Sequence, residues 1–414
     1  LLYVLVAALL FVRNQRALGS VVLAAILALF FLKITGFAAA IIICLFAFLA
    51  GRLHLRTSLV AGVAFLGGLY AIDLWNGLTS QYIEDIVTLA SKNEDTILPR
   101  FLQAASLNFG VVAASGLLVL VLAWAERGKT ARRWREATAS RKPAGFAKVL
   151  DNDALWLVVV LFAGISFETQ NTGSQAMIFL WPVVLAILLR AMSLMATPKL
   201  LMATLALAAA ATLPTVVNTT ERAARTYVGG LKNVRLSHAN LKQLGGLTMR
   251  DDVWRRANTM IAFYGSHQGA FEDLVEVGEL PTPIMFSDFD FQVVHLMATD
   301  RVIGSIRKLE ADKGVRFDTV MSLNFVNPIP YLMDRSAPKH IAIGADPTRA
   351  MLRPGKDIID AVESTDIVLY PRCPLTTANA ELYEIYAPML AGHRRIHLDE
   401  CYDAFVHPRF TGVE

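Results

Sequence analysis

Glu168, Gln170, Asn171 and Gln175 place a carboxylate and three carboxamides in one short turn, between apolar runs at residues 155–167 and 176–189. Each run could span or nearly span a bilayer, which needs about 20 apolar residues, so the turn belongs at a membrane face. A tight connection needs only glycine and a few small polar residues. Four hydrogen-bonding side chains exceed that need and form a rim able to hold a lipid head group or a sugar. Simple solvation of a tight loop accounts for the same residues, and the sequence leaves both readings open. Lys33 is a second such position, interrupting the apolar stretch 20–50 at Lys33-Ile34-Thr35-Gly36. A chain folded back there puts an ammonium at the interface, where it suits a phosphate as a point charge.

Further carboxylates and two cysteines complete the candidate chemistry. Asp73 falls near the end of the apolar span 57–75, and a carboxylate at such a depth is a functional candidate. Glu84 and Asp85 lie in the polar segment 76–108, where Tyr82, Ile83, Ile86, Val87 and Leu89 recur at helical spacing. That pattern describes either an amphipathic helix on the membrane surface or the solvated face of a connecting helix. Asp288-Phe289-Asp290 follows a short apolar run at 283–286. Two such carboxylates match the metal-binding DxD of nucleotide-sugar transferases, which would make a divalent cation the one candidate cofactor. A strand-end turn that caps a helix uses the same residues. Cys44 sits in an apolar span, as packing. Cys373 and Cys401 each follow an expected strand and lack zinc-site spacing, so in an oxidising compartment they would form a disulfide.

The elements that must position these residues fall into two parts. The chain of 414 residues is 55% hydrophobic and only 18% charged, against roughly 25% charged in a soluble domain. The apolar runs end near Leu213. The expected architecture is a polytopic α-helical membrane domain over residues 1–214, with about eight spans of which the first is truncated. An extracytoplasmic α/β domain follows over 215–414, with a helical lead-in at 215–280. Arg13, Arg16, Arg52, Arg56, the basic loop 126–153, Arg190 and Lys199 fall on one side if the chain turns back at Lys33. The positive-inside rule makes that side cytoplasmic. The segment 76–108, the Glu168 turn and everything after Pro214 are then periplasmic, in a bacterial inner membrane. Beyond residue 281, strands are expected at 283–286, 319–324, 340–343, 366–370 and 395–398. Helices between them are expected at 291–299, 302–311, 356–363 and 379–390, giving a partly parallel sheet. No glycine-rich phosphate loop and no basic tail with interleaved aromatics is present, which argues against nucleotide and nucleic-acid partners.

Many spans, tight polar turns, an amphipathic surface helix and a C-terminal α/β domain together resemble a GT-C-type integral membrane glycosyltransferase. Lys33-Ile34-Thr35-Gly36 and Phe167-Glu168-Thr169-Gln170-Asn171-Thr172-Gly173 resemble polar hairpin positions of such proteins. The resemblance implies a polyprenyl-phosphate-linked sugar as donor and a cell-envelope glycan or lipid as acceptor. It implies that Lys33 pairs with the lipid phosphate while Glu168, Gln170, Asn171 and Gln175 line the sugar or acceptor pocket. Asp73, Glu84, Asp85 or Glu168 would supply a carboxylate for catalysis, although the base of the family lies in the first periplasmic loop, which a truncated first span would leave out. A polysaccharide ligase or polymerase, and a non-enzymatic membrane-anchored sensor or assembly subunit, share the same general plan.

Overall fold

The computed structural model describes residues 1–92, 97–169, 177–194, 197–277, 289–341, 344–347, 351 and 354–413. It divides into two compact units, Leu1–Arg222 and Ala223–Glu414. Gln170, Asn171, Gln175, Asp288 and the expected strand 283–286 lie outside the described residues, as does the side chain of Asp290.

The first unit is helical throughout its described residues: α1 (Leu2–Phe11), α2 (Gln15–Leu32), α3 (Ile34–Leu49), α4 (Leu55–Asn76), α5 (Leu78–Lys92), α6 (Ile97–Leu107), α7 (Phe109–Ser140), α8 (Pro143–Leu150), α9 (Asp153–Glu168), α10 (Trp181–Leu194) and α11 (Pro198–Gly230). Four of them, α2, α4, α7 and α11, are long and apolar enough to cross a membrane, and the bent pair α8–α9 makes a fifth if it counts as one span. The expected number was about eight; α1, α3 and α10 are apolar but shorter. Leu59, Val60, Val63, Leu66 and Leu74 of α4 all face outward, an apolar surface that water would not tolerate and lipid would. The core lies between α1, α3, α9 and α10, where Leu5, Val6, Ala40, Ile43, Leu157, Val160 and Ile187 are buried.

The stretch 20–50 forms a hairpin, since α2 ends and α3 begins at the extended residue Lys33. Gln15 Nε2 donates to the carbonyl of Arg52 at 2.9 Å, which ties the start of α2 to the end of α3. Near the bend, the rings of Phe30 and Phe37 meet edge to face at 5.2 Å. The basic segment 126–153 is not the expected loop. α7 continues to Ser140 and α8 packs back on it, with Gly145 close against Ala137. Ala, Glu, Lys and Arg dominate that stretch and are strong helix formers, so charge ended the apolar span without ending the helix. α11 likewise runs on past the expected end of its span, through Pro214.

The second unit contains the small hairpin β1 (Val234–Arg235) and β2 (Thr248–Met249), then α12 (Asp251–Ser266), α13 (Gln268–Glu276), α14 (Phe289–Lys313), β3 (Val320–Ser322), α15 (Ile329–Met333), α16 (Lys356–Glu363), β4 (Ile367–Pro371), α17 (Thr377–Tyr386), β5 (Arg394–Asp399) and β6 (Tyr402–Val406). The four-stranded sheet has the order β3-β4-β6-β5, with β3 and β4 parallel and the other pairs antiparallel. Side chains alternate between faces, as strand geometry requires. Val320, Ile367, Leu369, Ala404 and Val406 join the core built with α12 and α14. Met321, Val368, Tyr370 and Phe405 join the core built with α16 and α17. The expected helices 291–299 and 302–311 are one helix, α14. The expected strand 340–343 is not formed at its start, because His340 sits in a turn with φ of +64°. The strand β6 was not anticipated.

Candidate functional site

Lys33 is brought to the end of α9. Its Nζ lies 4.4 Å from the centre of the Phe167 ring, an arrangement in which an ammonium is attracted to the ring face. Glu168, the next residue, is buried at 6% exposure and stands close enough for its charge to act on Lys33. Gly36 permits this approach: a Cβ there would fall 3.0 Å from Leu29 Cδ2 and 3.1 Å from Phe167 Cε2. A side chain at this position would require Leu29 or Phe167 to shift, so glycine eases the packing of α3 against the end of α9. At the same end, Thr35 Oγ1 and Trp181 Nε1 are buried with no hydrogen-bond partner among the described residues. Buried polar groups are nearly always satisfied, and Thr35, two positions from Lys33, has hydrogen-bonding capacity left over among the described residues.

An apolar groove of about 380 Å³ runs between α2, α3 and α4. Val22, Ile26, Ile41, Cys44, Phe48 and Phe65 line it. Phe65 also stacks on Phe37 at 5.5 Å and meets Phe30 at 5.8 Å, so an aromatic cluster separates the groove from the Lys33 bend. Tyr82 of α5 closes on the same cluster, 5.4 Å from Phe30.

Other candidates are placed differently. Asp73 accepts hydrogen bonds from the backbone N–H and the hydroxyl of Ser80, both at 2.7 Å. It therefore joins the end of α4 to the first turn of α5, where a carboxylate satisfies free N–H donors. Glu84 and Asp85 are exposed on α5, alongside the exposed apolar residues Ile83 and Val87. Among the described residues, no group of three or more His, Cys, Asp or Glu is set to hold a metal. Cys373 and Cys401 are joined in a disulfide with Cα atoms 4.9 Å apart. Neither a scan against protein-family models nor searches of curated proteins and solved structures gave a match.

Two polar networks escaped sequence reading. In the first unit, at the end remote from Lys33, Arg52 Nε donates to Asp151 Oδ1 at 2.9 Å and Trp156 Nε1 donates to the same oxygen at 3.0 Å. Arg190 pairs there with the buried Asp153. In the second unit, Asp403 of β6 is buried at 5% side-chain exposure and receives Arg372 at 3.0 Å, Arg395 at 2.6 Å and His397 at 3.2 Å. Burial alone would push the Asp403 carboxyl up, but hydrogen bonds from Arg395 and His397 and the charge of Arg372 hold it below its ordinary value. The signal was present in the alternation Arg395, His397 and Asp403 on one face of two strands, but it becomes legible only when β6 is recognised.

Proposed function

We propose that this protein is a membrane glycosyltransferase. It transfers a sugar from a polyprenyl-phosphate donor to a cell-envelope glycan or lipid acceptor, on the periplasmic side of a bacterial inner membrane. The observation that carries the reading is Lys33 at a helix bend beside buried Glu168, with an apolar groove between α2, α3 and α4 on the far side of the Phe30, Phe37 and Phe65 cluster. The isoprenoid chain occupies the groove, where each buried methylene contributes about 0.8 kcal/mol. The Lys33 ammonium meets the phosphate, and it stabilises the charge left on polyprenyl phosphate as the bond from phosphate oxygen to the sugar breaks. The acceptor hydroxyl forms the new bond to the sugar and gives up its proton to a carboxylate base. Of the four candidate carboxylates, Glu168 is the one held beside Lys33, and we assign it to the sugar and acceptor side of the reaction.

Sidedness is supported by charge. Arg52, Arg190 and the basic helices α7 and α8 gather at the end of the first unit away from Lys33, as the positive-inside rule expects for a cytoplasmic end. The disulfide of the second unit suits an oxidising compartment. A transfer assay in proteoliposomes tests the reading: Glu168→Gln, expressed and inserted as the wild type, should lose about 100-fold in rate. Unchanged transfer would remove Glu168 from the site.

A further inference from the structure

A second cleft in the first unit, of about 620 Å³, opens between α7 and α9. Its α7 wall includes Val119, Ala123, Arg127, Ala131 and Arg135, each four residues after the last, with Thr130 and Trp134 beside them, and so forms one stripe. Along this stripe the chemistry changes from aliphatic to cationic. The facing α9 wall supplies Leu155 and Val158 beside the aliphatic half and Asn152 beside the arginines.

Among the described residues neither Arg127 nor Arg135 has a carboxylate within ion-pair distance; Arg127 instead lies 3.8 Å from the centre of the Trp124 ring. The carboxylates at the start of α9 are engaged elsewhere, Asp151 by Arg52 and Asp153 by Arg190. Trp134 is held against Phe146 of α8, rings 6.0 Å apart, and lines the cationic half between Arg127 and Arg135.

We infer that this cleft binds an anionic phospholipid, with its phosphodiester between Arg127 and Arg135 and an acyl chain along Val119, Ala123 and Val158. The guanidinium of each arginine carries a planar fork of donors that matches phosphate oxygens. A continuous aliphatic wall below them selects a lipid over a soluble anion. The site is separate from the Lys33 bend and does not rest on the proposed transfer activity. A basic pocket of this kind between helices binds acidic head groups at the membrane surface.

Native mass spectrometry of the full chain, released from mixed phosphatidylglycerol and phosphatidylcholine vesicles, tests the assignment. The wild type should retain phosphatidylglycerol adducts over phosphatidylcholine by at least about tenfold, the discrimination that about 1.4 kcal/mol provides. The double variant Arg127→Gln/Arg135→Gln should lose that preference, whereas Lys129→Gln/Arg132→Gln, which removes as much charge from α7 outside the cleft, should keep it. Val158→Trp fills the aliphatic half with both arginines intact and should also reduce adducts. Equal loss in both double variants would reduce the site to a basic surface and overturn the assignment. So would retention in Arg127→Gln/Arg135→Gln, or displacement of the adducts by excess inorganic phosphate.

Discussion

Gly36 and Asp403 show how single residues set what the two units can do. A side chain at Gly36 would press on both Leu29 and Phe167, so Gly36→Val must push α3 away from the ring that faces Lys33. Overpacking of this kind costs about 1–3 kcal/mol. The variant should unfold at lower temperature in detergent and bind donor lipid more weakly; wild-type values for both would show that the close approach is dispensable. Asp403 carries the charge balance of its sheet face, since Arg372 and Arg395 both converge on it. Arg372 keeps Glu272 and Arg395 is half exposed, so the loss is of charge-assisted hydrogen bonds, and Asp403→Asn should destabilise the second unit by about 2 kcal/mol. Because the folded carboxyl is held below its ordinary value, the wild-type contribution is complete above about pH 4, the ordinary aspartate value, and is lost as pH falls through the folded value. Asp403→Asn should therefore flatten the acid limb of a stability-against-pH curve followed by hydrogen exchange in residues 394–406. An unaltered limb would mean that other groups set it.

Elements were legible where pattern and boundary residues agreed. Lys33 followed by a glycine-containing step forecast the hairpin of α2 and α3, because a charge in mid-span has nowhere to go in hydrocarbon. The strands β4 and β5 stood out as apolar or alternating runs. Sequence reading failed where a helix outlived its apolar stripe, as in α7, and at β6, where Asp403 interrupts the apolar run. The disulfide was legible from compartment logic, and its link between the end of β4 and the start of β6 spans 28 residues. Closing a loop of that length contributes about 3–4 kcal/mol. Reduction, or Cys401→Ser, should lower the unfolding temperature of the second unit, read in residue-resolved hydrogen exchange of the full chain. Identical protection with and without reductant would show that the link adds nothing to stability.

At the scale of the whole molecule, the two-part plan could be read from hydropathy, since burial in lipid and burial in a protein core demand different compositions. The site could be read only in part. Lys33 and Glu168 were each conspicuous as charges beside apolar runs, but 135 positions apart in sequence nothing local said that they meet. Packing of α3 on α9 through Gly36 and Phe167 supplies that information. The proposed transfer requires a phosphate-bearing lipid at Lys33. Mass spectrometry of lipids that co-purify with the full chain is the most direct check. Polyprenyl phosphate, or its sugar-linked form, should co-purify with the wild type and be lost in Lys33→Ala at unchanged expression and fold. Undiminished polyprenyl phosphate in Lys33→Ala, or none with the wild type, would contradict the proposed transfer.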